Sequence, residues 1–226
     1  MTDMEHIDIG NLRCEIAKAT SSDRICYILF GPLDYGWVSQ AAADYDTTVV
    51  VVSGMDWDND LTPWAAPGAP TGSPDFRGLA PQFKRFLEEE VVPAVERHLG
   101  FSTPQRTLIG VSLSGLFALW QWVQSDMFAN IGCISGSFWY QGFVKWLTDY
   151  AIPHKSGMAY LSLGKKEPYT PVPQFRSVGT DTAQVMEILQ SRDINVTFQT
   201  TPGNHYAPVC PRLTWALNVL LLPKPD

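Results

Sequence analysis

Short, continuously apolar runs punctuate the chain at 25–31 (ICYILFG), 47–53 (TTVVVVS), 107–111 (TLIGV), 131–135 (IGCIS), 158–164 (MAYLSLG) and 195–201 (NVTFQTT). Most do not alternate polar with apolar, and a strand that is apolar on both sides is one covered by helices on both faces. Between the runs the period changes. Over 78–99, Leu79, Phe83, Phe86, Leu87, Val91, Val95 and Leu99 fall on one helical stripe. Pro93 removes a backbone donor within it and predicts a kink or a restart. Residues 114–124 are apolar nearly all round, the pattern of a buried helix. Further helices are expected over 142–150, 181–191 and 213–221, and one or two antiparallel edge strands over 7–19. Strand–helix alternation of this kind builds βαβ units, so the fold class expected is α/β, a mostly parallel twisted sheet with helices on both faces.

Residues 54–81 break the rhythm. They carry Pro63, Pro67, Pro70, Pro74 and Pro81 and exceed an ordinary connection, so they read as a functional or mobile surface loop. No segment is long enough for a separate cap. One domain over residues 1–226, without a large lid, is the expectation.

Composition narrows the chemistry. The chain has 226 residues, 45% hydrophobic and 17% charged, with a net charge of −7. An acidic chain of this kind lacks the basic stripes that neutralise phosphates, which argues against nucleic acid as a partner. No apolar run approaches the roughly 18 residues that span a bilayer. The start, MTDMEH, has no basic-then-apolar signal layout. A cytoplasmic protein with no membrane partner is expected. Cys14, Cys26, Cys133 and Cys210 are scattered, without CxxC or zinc-finger spacing. Neither HExxH, GxGxxG nor a P-loop occurs. Asp56, Asp58 and Asp60 alternate as in a calcium loop but lack its glycine and terminal glutamate. No metal and no cofactor are expected.

Residues 109–115 (IGVSLSG) follow an apolar run and lead into the buried helix. In a strand–turn–helix elbow the nucleophile sits in a strained conformation with small neighbours, and Ser112 has Gly110 on one side and Ser114 on the other. The helix N-terminus beyond it presents free N–H groups to an oxyanion. The competing reading makes Ser112 an ordinary N-cap. A serine nucleophile needs a base and the base a carboxylate, in the chain order nucleophile, acid, histidine. His6 and His98 precede Ser112, and His154 has no strong strand before it. His205 lies in a turn after the last apolar run, where α/β active sites form. Among Asp126, Asp149, Glu167, Asp181, Glu187 and Asp193, Glu167 directly follows a strand on the same edge; Asp181 is the alternative acid.

These residues, together with 86–93 (FLEEEVVP), 110–119 (GVSLSGLFAL), 135–139 (SGSFW), 161–167 (LSLGKKE) and 203–205 (GNH), resemble the esterase family of α/β hydrolases. That family includes S-formylglutathione hydrolases, feruloyl esterases, siderophore esterases and mycolyltransferases. The resemblance runs from about Cys26 to the end and implies Ser112 as nucleophile, Glu167 as acid and His205 as base. Ser114 stands where the family usually has glycine. The family's oxyanion turn reads here as 30–37 (FGPLDYGW), and Pro32 has no N–H. The donors are therefore expected at Leu33 and at Leu113, the residue after the nucleophile. The function expected is hydrolysis of a small-molecule carboxylic ester through an acyl-enzyme. Acyl transfer or thioester hydrolysis on the same triad, and a catalytically silent binding protein, are the alternatives. Trp57, Trp64, Trp139 and Tyr140 are expected to line an aromatic wall beside the nucleophile. The 226-residue length leaves little room for a lid, so the site should be open.

Overall fold

The computed structural model describes residues 4–222; residues 1–3, the start of the polar N-terminal stretch, lie outside it. Eight strands form one sheet in the order β1-β2-β4-β3-β5-β6-β7-β8. β1 (Met4–Ile9) and β2 (Leu12–Ala17) are the expected antiparallel edge pair, and β2 joins the sheet antiparallel to β4 (Thr48–Ser53). From β4 through β3 (Ile25–Leu29), β5 (Arg106–Val111), β6 (Asn130–Ile134), β7 (Met158–Gly164) and β8 (Asn195–Thr201), every pairing is parallel. All six apolar runs are strands, with ends shifted by one or two residues at most.

The helices divide between the two faces. α1 (Tyr35–Asp44) and α7 (Val209–Leu221) bury Val38, Ala41, Ala42, Leu213, Ala216 and Leu217 against one side. On the other side lie α2 (Ala80–Phe86), α3 (Val92–Leu99), α4 (Leu113–Trp122), α5 (Phe143–Asp149) and α6 (Val178–Gln190). β3 and β4 are covered on both faces, which is why ICYILFG and TTVVVVS show no alternation. Every residue of α4 is buried, as its all-round apolarity predicts.

Pro93 acts on the preceding turn. Between α2 and α3 the chain widens into a π-helical turn, Leu87–Val91, and the Val92 N–H reaches back to the Leu87 carbonyl. Pro93 sits in the first turn of α3, where its missing N–H costs least. Helix α1 has no counterpart in the hydrophobic pattern. Its buried face is built from Val38 and two alanines, too small to register as a stripe, and Asp34 caps it by accepting the Trp37 N–H at 2.8 Å. The loop 54–79 contains no regular helix or strand, only turns and one bridge between Ala66 and Phe76.

Candidate active site

β5 ends at Val111 and α4 begins at Leu113, so Ser112 alone makes the corner. Its backbone is held at φ 59°, ψ −122°, a region that costs a non-glycine residue about 1–3 kcal/mol and persists only when neighbours enforce it. They do: its N–H donates to the Ile134 carbonyl at 2.9 Å, and its carbonyl accepts from Leu116 at 3.1 Å and Ser137 at 3.0 Å. Although Ser112 occupies the N-cap position, its side chain makes no capping bond. Its hydroxyl lies 3.0 Å from His205 Nε2 and 3.3 Å from Ser137 Oγ.

The small neighbours have separate jobs. A Cβ on Gly110 would overlap the Ser114 carbonyl. Ser114 does not crowd the corner; its buried hydroxyl accepts from the Val111 N–H at 2.7 Å and donates to the Val111 carbonyl at 2.8 Å, bracing the strand end against the helix.

His205 follows β8 and Glu167 follows β7, on the same carboxyl edge of the sheet as Ser112. His205 Nδ1 is 2.8 Å from Glu167 Oε2. A carboxylate only accepts, so Nδ1 carries the proton and the neutral Nε2 faces the serine hydroxyl as an acceptor. Glu167 is 4% exposed. Burial pushes its carboxyl up, but the hydrogen bonds from His205, Ser135 and the Gly164 N–H outweigh burial and hold it below the usual carboxylate range. Oε1 accepts from Gly164 at 2.7 Å, from the Ser135 hydroxyl, and from Arg212 Nη2 at 3.2 Å. Asp181, the alternative acid, sits in the first turn of α6.

Ser135, Ser137, Gly164 and Arg212 are the contacts that sequence reasoning missed. Arg212 carried one usable signal, a cation in an otherwise apolar helical stretch, but the predicted helix began one residue beyond it. Leu113 is the first residue of α4, so its N–H is among those a helix leaves without an intrahelical acceptor. Leu33 is buried in the turn after β3, the sheet neighbour of β5.

Three of the four expected wall residues pack in series, Trp64 on Tyr140 with ring centroids 6.0 Å apart and Tyr140 on Trp139 at 6.4 Å, while Trp57 packs elsewhere. Trp57 packs edge-on against Phe30, with ring centroids 5.9 Å apart. The Tyr140 hydroxyl donates to the Trp64 carbonyl, and Trp64 Nε1 donates to the Gln141 carbonyl at 2.9 Å. These two rings therefore tie the proline-rich loop to the segment after β6. Trp139 and Tyr140 instead line a cavity of about 480 Å³ with Phe76, Asp75, Gln141 and Gln174; Ser112, Glu167 and His205 are not among its lining residues. Asp56, Asn59 and Asp60 bond one another within their own loop: Asp60 accepts the Asp56 N–H at 2.9 Å, and Asp56 accepts from Asn59 Nδ2 at 2.9 Å. The His205 side chain is 36% exposed, and Tyr169 and Tyr206, close in sequence to Glu167 and His205, are open to solvent.

Comparison with known proteins adds the lineage. The chain is 28% identical over 124 residues to an uncharacterized protein, YbbA, of Bacillus subtilis, a match covering 52% of this chain and 50% of that protein. The chain thus spans about half the length of the curated relative it matches. Among solved structures it is similar to the siderophore hydrolase EstA from Aspergillus nidulans (18% identity, TM-score 0.75, covering 96% of this chain and 93% of that one). It is also similar to an IroE-like serine hydrolase from Shewanella oneidensis (15% identity, TM-score 0.79, covering 97% and 79%). Both likenesses carry the α/β-hydrolase fold. The family model described as "Putative esterase" matches residues 34–200, a span that includes Ser112 and Glu167 and stops before His205. The chain belongs to this esterase family of α/β hydrolases.

Proposed function

We propose that the protein hydrolyses small-molecule carboxylic esters with Ser112 as nucleophile, His205 as base and Glu167 as orienting acid. The observation that carries this reading is the unbroken hydrogen-bond sequence from Ser112 Oγ through His205 to Glu167, at 3.0 Å and 2.8 Å. His205 Nε2 takes the hydroxyl proton as Oγ attacks the acyl carbon, and the carbonyl oxygen becomes an oxyanion. The N–H groups of Leu113 and Leu33 stabilise it, each donor contributing about 2.7–4 kcal/mol. Collapse breaks the bond to the leaving alkoxide, which receives the proton from the imidazolium. Water then gives a proton to His205 as its oxygen attacks the acyl-serine, and the released Ser112 oxygen recovers that proton with departure of the acid. Glu167 stays ionised throughout and stabilises the imidazolium.

All of these groups sit on one edge of one sheet, which supports reading the chain as a single hydrolase domain. Among the described residues no helix is long and apolar enough to cross a membrane. Four unpaired cysteines, three of them buried, support a reducing compartment such as the cytoplasm. The likeness to EstA makes a siderophore ester one arm of a substrate panel.

The test is Ser112→Ala beside wild type, assayed with p-nitrophenyl acetate and butyrate and with a fluorophosphonate probe. Wild type is expected to turn over the esters and label once; Ser112→Ala is expected to do neither. Equal hydrolysis by both proteins, or no reaction by wild type with any ester or the probe, overturns the proposal.

A further inference from the structure

We propose that Arg212 is a positioning residue for the triad acid: its buried guanidinium, directly and through the Ser135 hydroxyl, pins Glu167 Oε1 so that Oε2 alone faces His205. The proposal rests on the triad reading and extends it to a residue of α7, outside the span matched by the family model.

The arrangement is built from both sides. Arg212 Nη2 donates to Glu167 Oε1 at 3.2 Å and to Ser135 Oγ, and the Ser135 hydroxyl donates its own hydrogen bond to the same Oε1. With the Gly164 N–H at 2.7 Å, three donors converge on one carboxylate oxygen, while His205 has the other. Both charged side chains are 3% exposed. An ion pair buried this deeply is a weak source of stability, because desolvation of the two charges offsets their attraction. What the pair does supply is a carboxylate that cannot rotate. Ser135 is held at φ 49° in the turn after β6, a conformation costly for serine that keeps its hydroxyl between the other two groups.

Charge gives the arrangement a second consequence. With Arg212 present, Glu167 and Arg212 cancel, and protonation of His205 turns a neutral cluster into a cation. Without the arginine, the same proton meets an uncompensated carboxylate. Removing a nearby cation raises the proton affinity of every acid and base around it, so the hydrogen-bonded Glu167–His205 pair is expected to take up its proton at higher pH in a variant without the arginine than in wild type. Among the described residues, the other titratable or charged groups around the pair include Tyr160, which faces Arg212 from β7; Lys165, Lys166 and Tyr169, exposed on the Glu167 turn; Asp181 on α6, which packs against that turn; and Tyr206 beside His205.

The experiment is a pH–rate profile of p-nitrophenyl butyrate hydrolysis by the full-length protein, for wild type, Arg212→Met, Arg212→Lys, Glu167→Gln and the Glu167→Gln/Arg212→Met double variant. Arg212→Met is expected to lower kcat by about a hundredfold, the size of effect an ångström of misplacement produces, with KM little changed. The acidic limb of its kcat/KM profile is expected to lie at higher pH than that of wild type. Arg212→Lys is expected to restore the limb and part of the rate. In the Glu167→Gln background, Arg212→Met is expected to cost almost nothing more, since the arginine acts through that carboxylate. A wild-type rate and limb in Arg212→Met, a fallen rate with an unmoved limb, or the same fold-loss in both backgrounds overturns the proposal. If Arg212→Met does not fold, Ser135→Ala decides: a loss of about tenfold with the limb moved upward supports it, and unchanged kinetics overturn it. Should Ser112→Ala remain fully active, the triad reading falls first. Should Ser112→Ala be silent while Arg212→Met matches wild type, only the role of Arg212 falls.

Discussion

Replacing Glu167 by glutamine changes one atom of the cluster, and the surrounding hydrogen bonds dictate what happens next. Oε1 is met by three donors, Gly164 N–H at 2.7 Å, the Ser135 hydroxyl and Arg212 Nη2 at 3.2 Å, so the glutamine must place its carbonyl oxygen there. Its NH₂ group then takes the position of Oε2, 2.8 Å from His205 Nδ1. A donor facing Nδ1 forces the imidazole into the other tautomer, with its proton on Nε2 and pointing at the Ser112 hydroxyl 3.0 Å away. A base holding that proton cannot accept the serine's. Loss of the correct tautomer is expected to lower kcat by about 10⁴-fold, as in a serine-protease triad with its aspartate changed to asparagine, or about 5 kcal/mol of barrier, with KM nearly constant. The same substitution leaves Arg212 buried without a countercharge, at a cost of about 3–5 kcal/mol of stability. For a chain of this size the melting temperature should fall by roughly 6–20 °C. Steady-state kinetics with p-nitrophenyl butyrate, run where near-UV circular dichroism shows the variant folded, separate the two effects. A folded Glu167→Gln protein with kcat within tenfold of wild type would refute the tautomer argument.

Three further outcomes are expected. Ser114→Ala strands the buried Val111 N–H, now bonded at 2.7 Å, at about 1–3 kcal/mol; thermal denaturation should show a melting temperature roughly 2–12 °C lower, and an unchanged value would remove Ser114 as a brace of the elbow. The folded state holds Glu167 below the usual carboxylate value of 4.5, so its contribution to stability is complete above that pH and is lost as the pH falls further. Urea titrations stepped downward from neutral pH should therefore show a steeper loss below this value for wild type than for Glu167→Gln, and parallel curves contradict the assignment. Tyr140→Phe deletes the hydroxyl bonded to the Trp64 carbonyl, so limited proteolysis should cut the 54–79 loop faster than in wild type; equal rates show that the anchor lies elsewhere.

Much of the architecture is legible because it is written locally. A run such as TTVVVVS is apolar at every position only if both faces are covered, which already implies helices above and below a parallel sheet. Parallel strands joined by crossover connections end on one edge, so Ser112, Glu167 and His205, each just past a strand, fall on that edge, and the strand order across the sheet then brings them within reach of one another. Pro93 announces a disturbance through its missing N–H. Helix α1 leaves no comparable trace, because its buried face of Val38, Ala41 and Ala42 is too small to stand out from its polar neighbours.

The remainder depends on separations that no local pattern records. Arg212 and Ser135 lie 77 residues apart, and Arg212 and Glu167 45; nothing near any of the three predicts that two hydrogen bonds and a charge will close on one oxygen. Trp57, Trp64, Trp139 and Tyr140 look alike as aromatic loop residues, yet packing sends Trp57 to Phe30, makes Trp64 and Tyr140 anchors, and leaves Trp139 and Tyr140 on a cavity wall. Periodicity reports which face of an element is apolar, a property of neighbours three or four positions apart or two. Which buried polar groups meet is decided by rotamers and by the mutual placement of strands and helices, and those exist only once the whole sheet and its two layers have assembled.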